Sequence, residues 1–339
     1  MSYKRIVFAT DGSESAERAR RVAASIAKAT RGTVLVGHAY ESPIEGKEIL
    51  EQAVGACEAD GVKVRGELLD GTPAAAIVEF ADVNDADVIV IGAAGLSGSE
   101  TFQIGNIAGR IARQAPCDVL LVRGTAVVEG DSPYPRILVA TDGSVTADRA
   151  ARKGYDLAGK LGASVQLVFV GHPKTGDLVL KDTAATFGED VDTSTRILKG
   201  DPADKIVEVA EQEAFPLVIV GNKGMTGARR FLLGSVPQKV SEYAPCDVLI
   251  ARTVVQAVAE IDKGEGGIIL VAGDKVAAYK DDKGKLHTVS AKCTHMGCTV
   301  KWNGADGTWD CPCHGSRFSA SGEVVQGPAA RPLPAVEMA

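Results

Sequence analysis

Two short boxes near the end of the chain, CTHMGC at 293–298 and CPCHGS at 311–316, concentrate residues suited to holding metal. Each supplies one cysteine and one histidine at close range, Cys293-x-His295 and Cys311-x2-His314, with 12 residues between the boxes. Thiolate and imidazole together suit tetrahedral zinc or an iron–sulfur cluster. Zinc would take all four ligands on one ion, leaving Cys298 and Cys313 without a task. A [2Fe–2S] cluster would place two cysteines on one iron and two histidines on the other, its sulfides completing both tetrahedra. A plain disulfide framework is the third alternative.

A second chemistry is written in glycine. Asp11 and Asp142 each stand in the string TDGS. Further along come Gly92-x2-Gly95-x9-Gly105-Asn106 and Gly221-x2-Gly224-x9-Gly234-Ser235. Glycines let backbone approach phosphate closely, and a hydroxyl at a following helix start adds a hydrogen bond where the dipole already favours anions. Glycine spacing alone also describes an ordinary turn. Its recurrence at matching places is what gives it weight.

That recurrence is a duplication. RIVFATDGS at 5–13 returns as RILVATDGS at 136–144, and APCDVLLVR at 115–123 returns as APCDVLIAR at 244–252. The period is far longer than a solenoid unit and marks a repeated domain. In the first copy, apolar β-branched runs at 5–10, 33–37, 87–91 and 118–122, with a weaker one at 62–68, read as strands. Between them lie amphipathic segments such as 13–30, whose Ala16, Ala19, Val22, Ala23, Ile26 and Ala27 follow helical spacing. Strands apolar on both faces and separated by helices predict a parallel sheet covered on both sides. Ligands then bind beyond the carboxyl ends of the strands, where strand order reverses, which is where the TDGS turns and glycine strings fall. The segment TAVVEGDSPYP, with its glycine and two prolines, links the copies. Beyond Arg252, short strand-like runs broken by glycine and Asp-Gly predict a small all-β domain. It holds four of the seven cysteines and three of the five histidines.

Residues 1–124 and 133–252, joined by a linker at 125–132, resemble two universal stress protein domains in tandem, of the family's ATP-binding branch. The resemblance implies two doubly wound parallel-sheet α/β domains. It places Asp11 and Asp142 near adenine and ribose, and Ala39 and Val170 against the adenine through their backbone. Gly92, Gly95, Gly105 and Asn106 in the first copy, and Gly221, Gly224, Gly234 and Ser235 in the second, would hold the phosphates. The second copy matches throughout; the first departs at Asn106, where the pattern has Ser or Thr. Residues 258–339 resemble the all-β Rieske family, through CTHMGC, CPCHGS and the proline-rich GPAARPL at 327–333. That resemblance implies Cys293 and Cys311 on a buried iron and His295 and His314 on an outer one. It pairs Cys298 with Cys313 in a disulfide between the loops, and gives Ser316 a hydrogen bond to a bridging sulfide. Phe318 stands where the highest-potential members carry Tyr, which implies a potential within roughly −150 to +300 mV but below its top.

Composition narrows the rest. The 339 residues are 45% hydrophobic and 24% charged, as in a globular chain of two or three domains. A net charge of −7 without a basic block argues against nucleic acid as a partner. No run of about 18 apolar residues is present, so no membrane span is expected, and the opening residues are not expected to act as a signal peptide. The expected location is cytoplasmic. Cys57, Cys117 and Cys246 read as buried small hydrophobes. Outside the cluster ligands only His38, His172 and His287 remain, in unrelated segments, which disfavours a self-contained oxygenase. No catalytic residue is assigned. The leading reading is a stress-related, nucleotide-binding protein with an electron-transfer or redox-sensing module, served by redox partner proteins. The alternatives are the electron donor of a multi-component oxygenase and a weak ATPase or autokinase. The apolar strands VLLVR and VLIAR need partners, within the chain or in a homo-oligomer.

Overall fold

A computed structural model describes residues 3–40, 43–94, 104–123, 132–188, 190–222, 233–252, 258, 261, 263–271, 274–304, 306–311 and 314–338. Gly95, Gly224 and Cys313, and all of the 125–132 linker except Ser132, lie outside these residues. The chain divides into two units, Met1–Thr253 and Val254–Ala339.

In the first unit each copy alternates strand and helix as its periodicity dictates. The first copy runs β1 (Arg5–Ala9), α1 (Glu14–Thr30), β2 (Thr33–Ala39), α2 (Pro43–Ala59), β3 (Lys63–Leu69), α3 (Pro73–Val83), β4 (Val88–Gly92), α4 (Asn106–Gln114) and β5 (Asp118–Val122). The second runs β6 (Arg136–Ala140), α5 (Val145–Leu161), β7 (Ser164–Val170), α6 (Pro173–Phe187), β8 (Thr193–Leu198), α7 (Pro202–Gln212), β9 (Leu217–Gly221), α8 (Ser235–Tyr243) and β10 (Asp247–Ala251). The long first helix of each copy starts at a serine: Ser13 Oγ accepts the Ala16 N–H and Ser144 Oγ accepts the Ala147 N–H, both at 3.2 Å. Each satisfies one of the donors a helix start leaves open.

Within each copy the strands are parallel, but the copies join through an antiparallel pair. Leu120 faces Leu249, flanked by Val119↔Ile250 and Leu121↔Val248. The result is one ten-stranded sheet, β3-β2-β1-β4-β5-β10-β9-β6-β7-β8. The two apolar end strands therefore find each other inside the chain. Each sheet face carries one core spanning both copies. Ile77, Phe80 and Ile111 share a core with Ile206, Val209 and Val240, while Ile26 and Val36 share the other with Tyr155 and Leu167.

The seam is pinned by two buried carboxylates. Asp118 accepts the Tyr3 hydroxyl (2.8 Å) and, from the other copy, the Arg252 N–H (2.7 Å). Asp247 accepts the Tyr134 hydroxyl (2.7 Å) and the Arg123 N–H (2.8 Å). Asp118 also accepts from the Lys153 ammonium on α5 at 2.5 Å. Burial, then the adjacent carboxylate, pushes both tyrosine hydroxyls well above their ordinary pKa.

The second unit is all-β. Strands β11 (Gly266–Val271), β12 (Asp274–Lys280) and β13 (Leu286–Ser290) form one antiparallel sheet. Strands β14 (Lys301–Asn303), β15 (Thr308–Asp310), β16 (Arg317–Ser319) and β17 (Val324–Gln326) form another. Its core is aromatic: Trp302 lies 4.8 Å from Tyr279 and 4.9 Å from Trp309, ring centre to ring centre. Trp302 covers Gly266, where a Cβ would come within 2.5 Å of the indole.

Candidate metal centre and nucleotide loops

The two cysteine–histidine boxes fold into the same turn. Cys293 N–H donates to Cys298 O (2.8 Å) and Gly297 N–H to Cys293 O (2.8 Å). In the second box Cys311 N–H donates to Ser316 O (2.7 Å) and Gly315 N–H to Cys311 O (3.2 Å). Gly297 and Gly315 take φ of +83° and +71°, a region that disfavours side chains. Cys293 thus corresponds to Cys311 and Cys298 to Ser316. The histidines do not correspond: His295 is third in its turn and His314 fourth. Their rings nevertheless meet edge to face, centroids 4.9 Å apart and planes at 82°. Both histidines are exposed, while Cys293 and Cys311 are buried and outside any disulfide.

Around these turns the structure is closely fitted. Ser316 is fully buried, and its Oγ accepts the Ala329 N–H at 3.2 Å, which leaves its own proton to donate. Ala329 belongs to the proline-rich segment, whose Arg331 carbonyl accepts the Thr294 hydroxyl at 2.6 Å. That segment therefore holds both turns. Phe318 is fully buried beside them on β16. Cys298 is disulfide-bonded. Two buried soft donors and two exposed borderline donors, on turns fixed by their own backbone, fit a [2Fe–2S] cluster with unlike iron ligands. The spare cysteine of the first turn is already in a disulfide, so it is withdrawn from ligation.

The TDGS turns are also twins. Asp11 Oδ1 accepts the Ser13 N–H and Asp142 Oδ1 the Ser144 N–H, both at 3.0 Å. Both sit at carboxyl ends of central strands, next to the β1/β4 and β6/β9 reversals. Across that crevice Gly105 and Gly234 are the N-caps of α4 and α8, so Asn106 and Ser235 open those helices, exposed, at the positive dipole end. Ala39 and Val170 close β2 and β7. Gly92 has a structural task of its own: a Cβ there would lie 2.4 Å from Ser15 Oγ and 2.8 Å from the Ser15 carbonyl carbon, so α1 presses on it.

The remaining histidines and cysteines have bonding or packing roles of their own. His38 is buried with Nδ1 2.8 Å from Thr10 O, a packing role. His287 sits on β13 with Nε2 3.0 Å from Asp281 Oδ2. Cys57, Cys117 and Cys246 are buried and outside any disulfide, and burial pushes Cys246 up to about 12. What the sequence reading passed over is the Asp and Arg of the repeated APCDVL strings, the seam residues Asp118, Asp247, Arg123 and Arg252. Their repetition was the available signal.

Comparison with known proteins follows the same division. The universal stress protein family matches residues 2–123, 133–182 and 174–252, and the Rieske [2Fe-2S] domain matches 251–337. The Mycobacterium tuberculosis universal stress protein Rv2005c is 30% identical over 231 residues, covering 61% of this chain and 77% of that protein. YhfW of Bacillus subtilis, named as a Rieske 2Fe-2S iron-sulfur protein, is 42% identical over 117 residues, covering 32% of this chain. The chain spans only 22% of that relative's length. A universal stress protein from Archaeoglobus fulgidus shares the fold, with a TM-score of 0.64 at 19% identity over 74% of this chain and 99% of that one. Among the described residues no helix is long and apolar enough to cross a membrane. The chain belongs to the universal stress protein family, as two copies in tandem, and carries a C-terminal Rieske [2Fe-2S] domain.

Proposed function

We infer that the protein is a one-electron carrier or redox sensor whose cluster domain is joined to a pair of ATP-binding stress domains. The edge-to-face contact of exposed His295 and His314, on the same turns as two buried cysteines, carries the redox half of this reading. Cys293 and Cys311 would hold the inner iron and the two histidines the outer one, with Cys313 the disulfide partner of Cys298. Bound there, a [2Fe–2S] cluster supplies reversible one-electron chemistry. The exposed imidazoles offer the edge at which a redox partner docks. Ser316, whose Oγ accepts the Ala329 N–H and keeps its own proton, would donate to the cluster, where added negative charge is favoured by a donor.

The nucleotide half rests on the twin Asx turns and on two helix starts facing them, with Asp142, Val170, Gly221, Gly224, Gly234 and Ser235 as the fuller set and Asp11, Ala39, Gly92, Gly95, Gly105 and Asn106 as its counterpart. Visible and EPR spectra of the purified chain, with a redox titration, test the first half. A mixed-ligand [2Fe–2S] signal with a potential above that of plant-type ferredoxins is expected; zinc in its place, or a potential near −400 mV, would sink it. Calorimetric titration with ATP, alongside Asp142→Ala, tests the second. Loss of one bound ATP in the variant is expected, and no heat from either protein would refute nucleotide binding.

A further inference from the structure

The helices that open at the two phosphate ends are tied to each other through a closed circuit of hydrogen bonds. The N-cap of α4, Gly105, donates to Ala93 O at 2.7 Å, and Ala93 N–H donates to Val122 O at 2.8 Å. Val122 ends β5, and the next residue, Arg123, reaches into the other copy, where its Nη2 donates to Ser241 O in the last turn of α8. At the opposite end of α8, Gly234 donates to Asn222 O at 2.9 Å, and Asn222 N–H donates to Ala251 O at 3.0 Å. Ala251 ends β10, and Arg252 crosses back, its Nη2 donating to Ala112 O in the last turn of α4 at 2.6 Å. Each arginine is held at its own N–H by the other copy's aspartate, Asp247 or Asp118.

Every link has a physical reason. The last carbonyls of a helix lack partners within it, and a cation there complements the dipole whose other end draws anions. A nine-residue helix is a stiff rod of about 13 Å, so its two ends move together. Burial makes the arrangement costly: it pushes Arg252 down to about 10 and lowers Arg123 as well. Both copies nonetheless place the arginine on the equivalent carbonyl of the opposite helix.

We propose that this ring makes the two nucleotide sites one positively cooperative unit, with Arg123 and Arg252 as its coupling residues. The proposal rests on the nucleotide reading above. Phosphate seated at Gly105–Asn106 fixes α4; α4 fixes Arg252; and Arg252 and Ala251 set Asn222 and Gly234 at the second site. The return path runs through Arg123, Val122 and Ala93. A first nucleotide orders the shared ring, so the second has less to order.

ATP titration of the full chain, compared with Asp11→Ala and Asp142→Ala, gives each site's affinity with its neighbour filled or empty. Filling one site is expected to tighten the other at least about fivefold, and Arg252→Met or Arg123→Met to remove that factor. Hydrogen exchange in Asp142→Ala, which keeps both arginines, reads the same coupling should the arginine variants not fold. ATP at the first site then slows exchange at the Asn222 and Gly234 amides. Two ATP bound independently or with mutual weakening, or unchanged exchange at those amides, overturns the coupling while nucleotide binding stands. No ATP bound by the unaltered chain removes both.

Discussion

Gly327 rests directly on Ser316: a Cβ at Gly327 would lie 2.5 Å from the Ser316 Cα, and the backbone there has φ of +101°. Gly327→Ala therefore both clashes and strains the backbone, by about 1–3 kcal/mol. The proline-rich segment should lift from both turns and take the Ala329 N–H away from Ser316. Iron and sulfide content per chain is expected to fall, and cluster loss to chelator to quicken severalfold. Equal content and loss rate would show that the segment does not clamp the site.

Ser316 is a fully buried hydroxyl that accepts the Ala329 N–H and keeps its own proton, which on the proposed reading it would donate to the cluster. One hydrogen bond of about 1 kcal/mol corresponds to roughly 40 mV for a single electron. Ser316→Ala should lower the midpoint potential by about that much in a redox titration, with the EPR signal retained. Phe318→Tyr should raise it, by adding the hydroxyl that this chain lacks. A potential indifferent to both changes would remove these two residues from its control.

At the seam the two tyrosine–aspartate pairs are alike in geometry. Removing either hydroxyl takes a donor from a carboxylate buried in the interior, which costs about 1–3 kcal/mol. Tyr3→Phe and Tyr134→Phe should each destabilise the chain by that order. Denaturant unfolding of the two variants checks this, and unaltered stability in both would contradict it.

The interior thiols and phenols make the protein sensitive to alkali. Burial raises Cys246 from 9.0 to about 12, so the folded chain keeps a proton that the unfolded chain loses above pH 9. Stability then falls as pH rises through that window, with Cys57 acting in the same direction and Tyr3 and Tyr134 joining above pH 10. Arg252 opposes them only from about pH 10 to 12.5, where the folded chain is the first to lose its proton. Between pH 9 and 10 the thiols act unopposed, and Cys246 contributes about 1.4 kcal/mol per unit at full slope. Thermal midpoints from pH 8 to 10 should decline, and less steeply for Cys246→Ala. Parallel curves for the two proteins would count against it.

The sequence by itself determined the elements and the donors. Strand and helix follow from periodicity, the duplication from its repeated strings, and the metal donors from cysteine and histidine at short range. These are local properties, written within a few residues of one another. It could not decide where VLLVR and VLIAR pair, because two apolar edges more than a hundred residues apart satisfy each other equally well within one chain or between two. Only the tertiary structure brings Leu120 opposite Leu249. With that pairing come the contacts no local pattern encodes: Arg123 on Ser241, Arg252 on Ala112, and a buried aspartate shared by both copies. The same holds at the metal centre, where His295 and His314 occupy different positions of matching turns and meet only because the turns are packed together. Spacing marked the candidate ligands, and burial of two edges and two turns brought distant residues together.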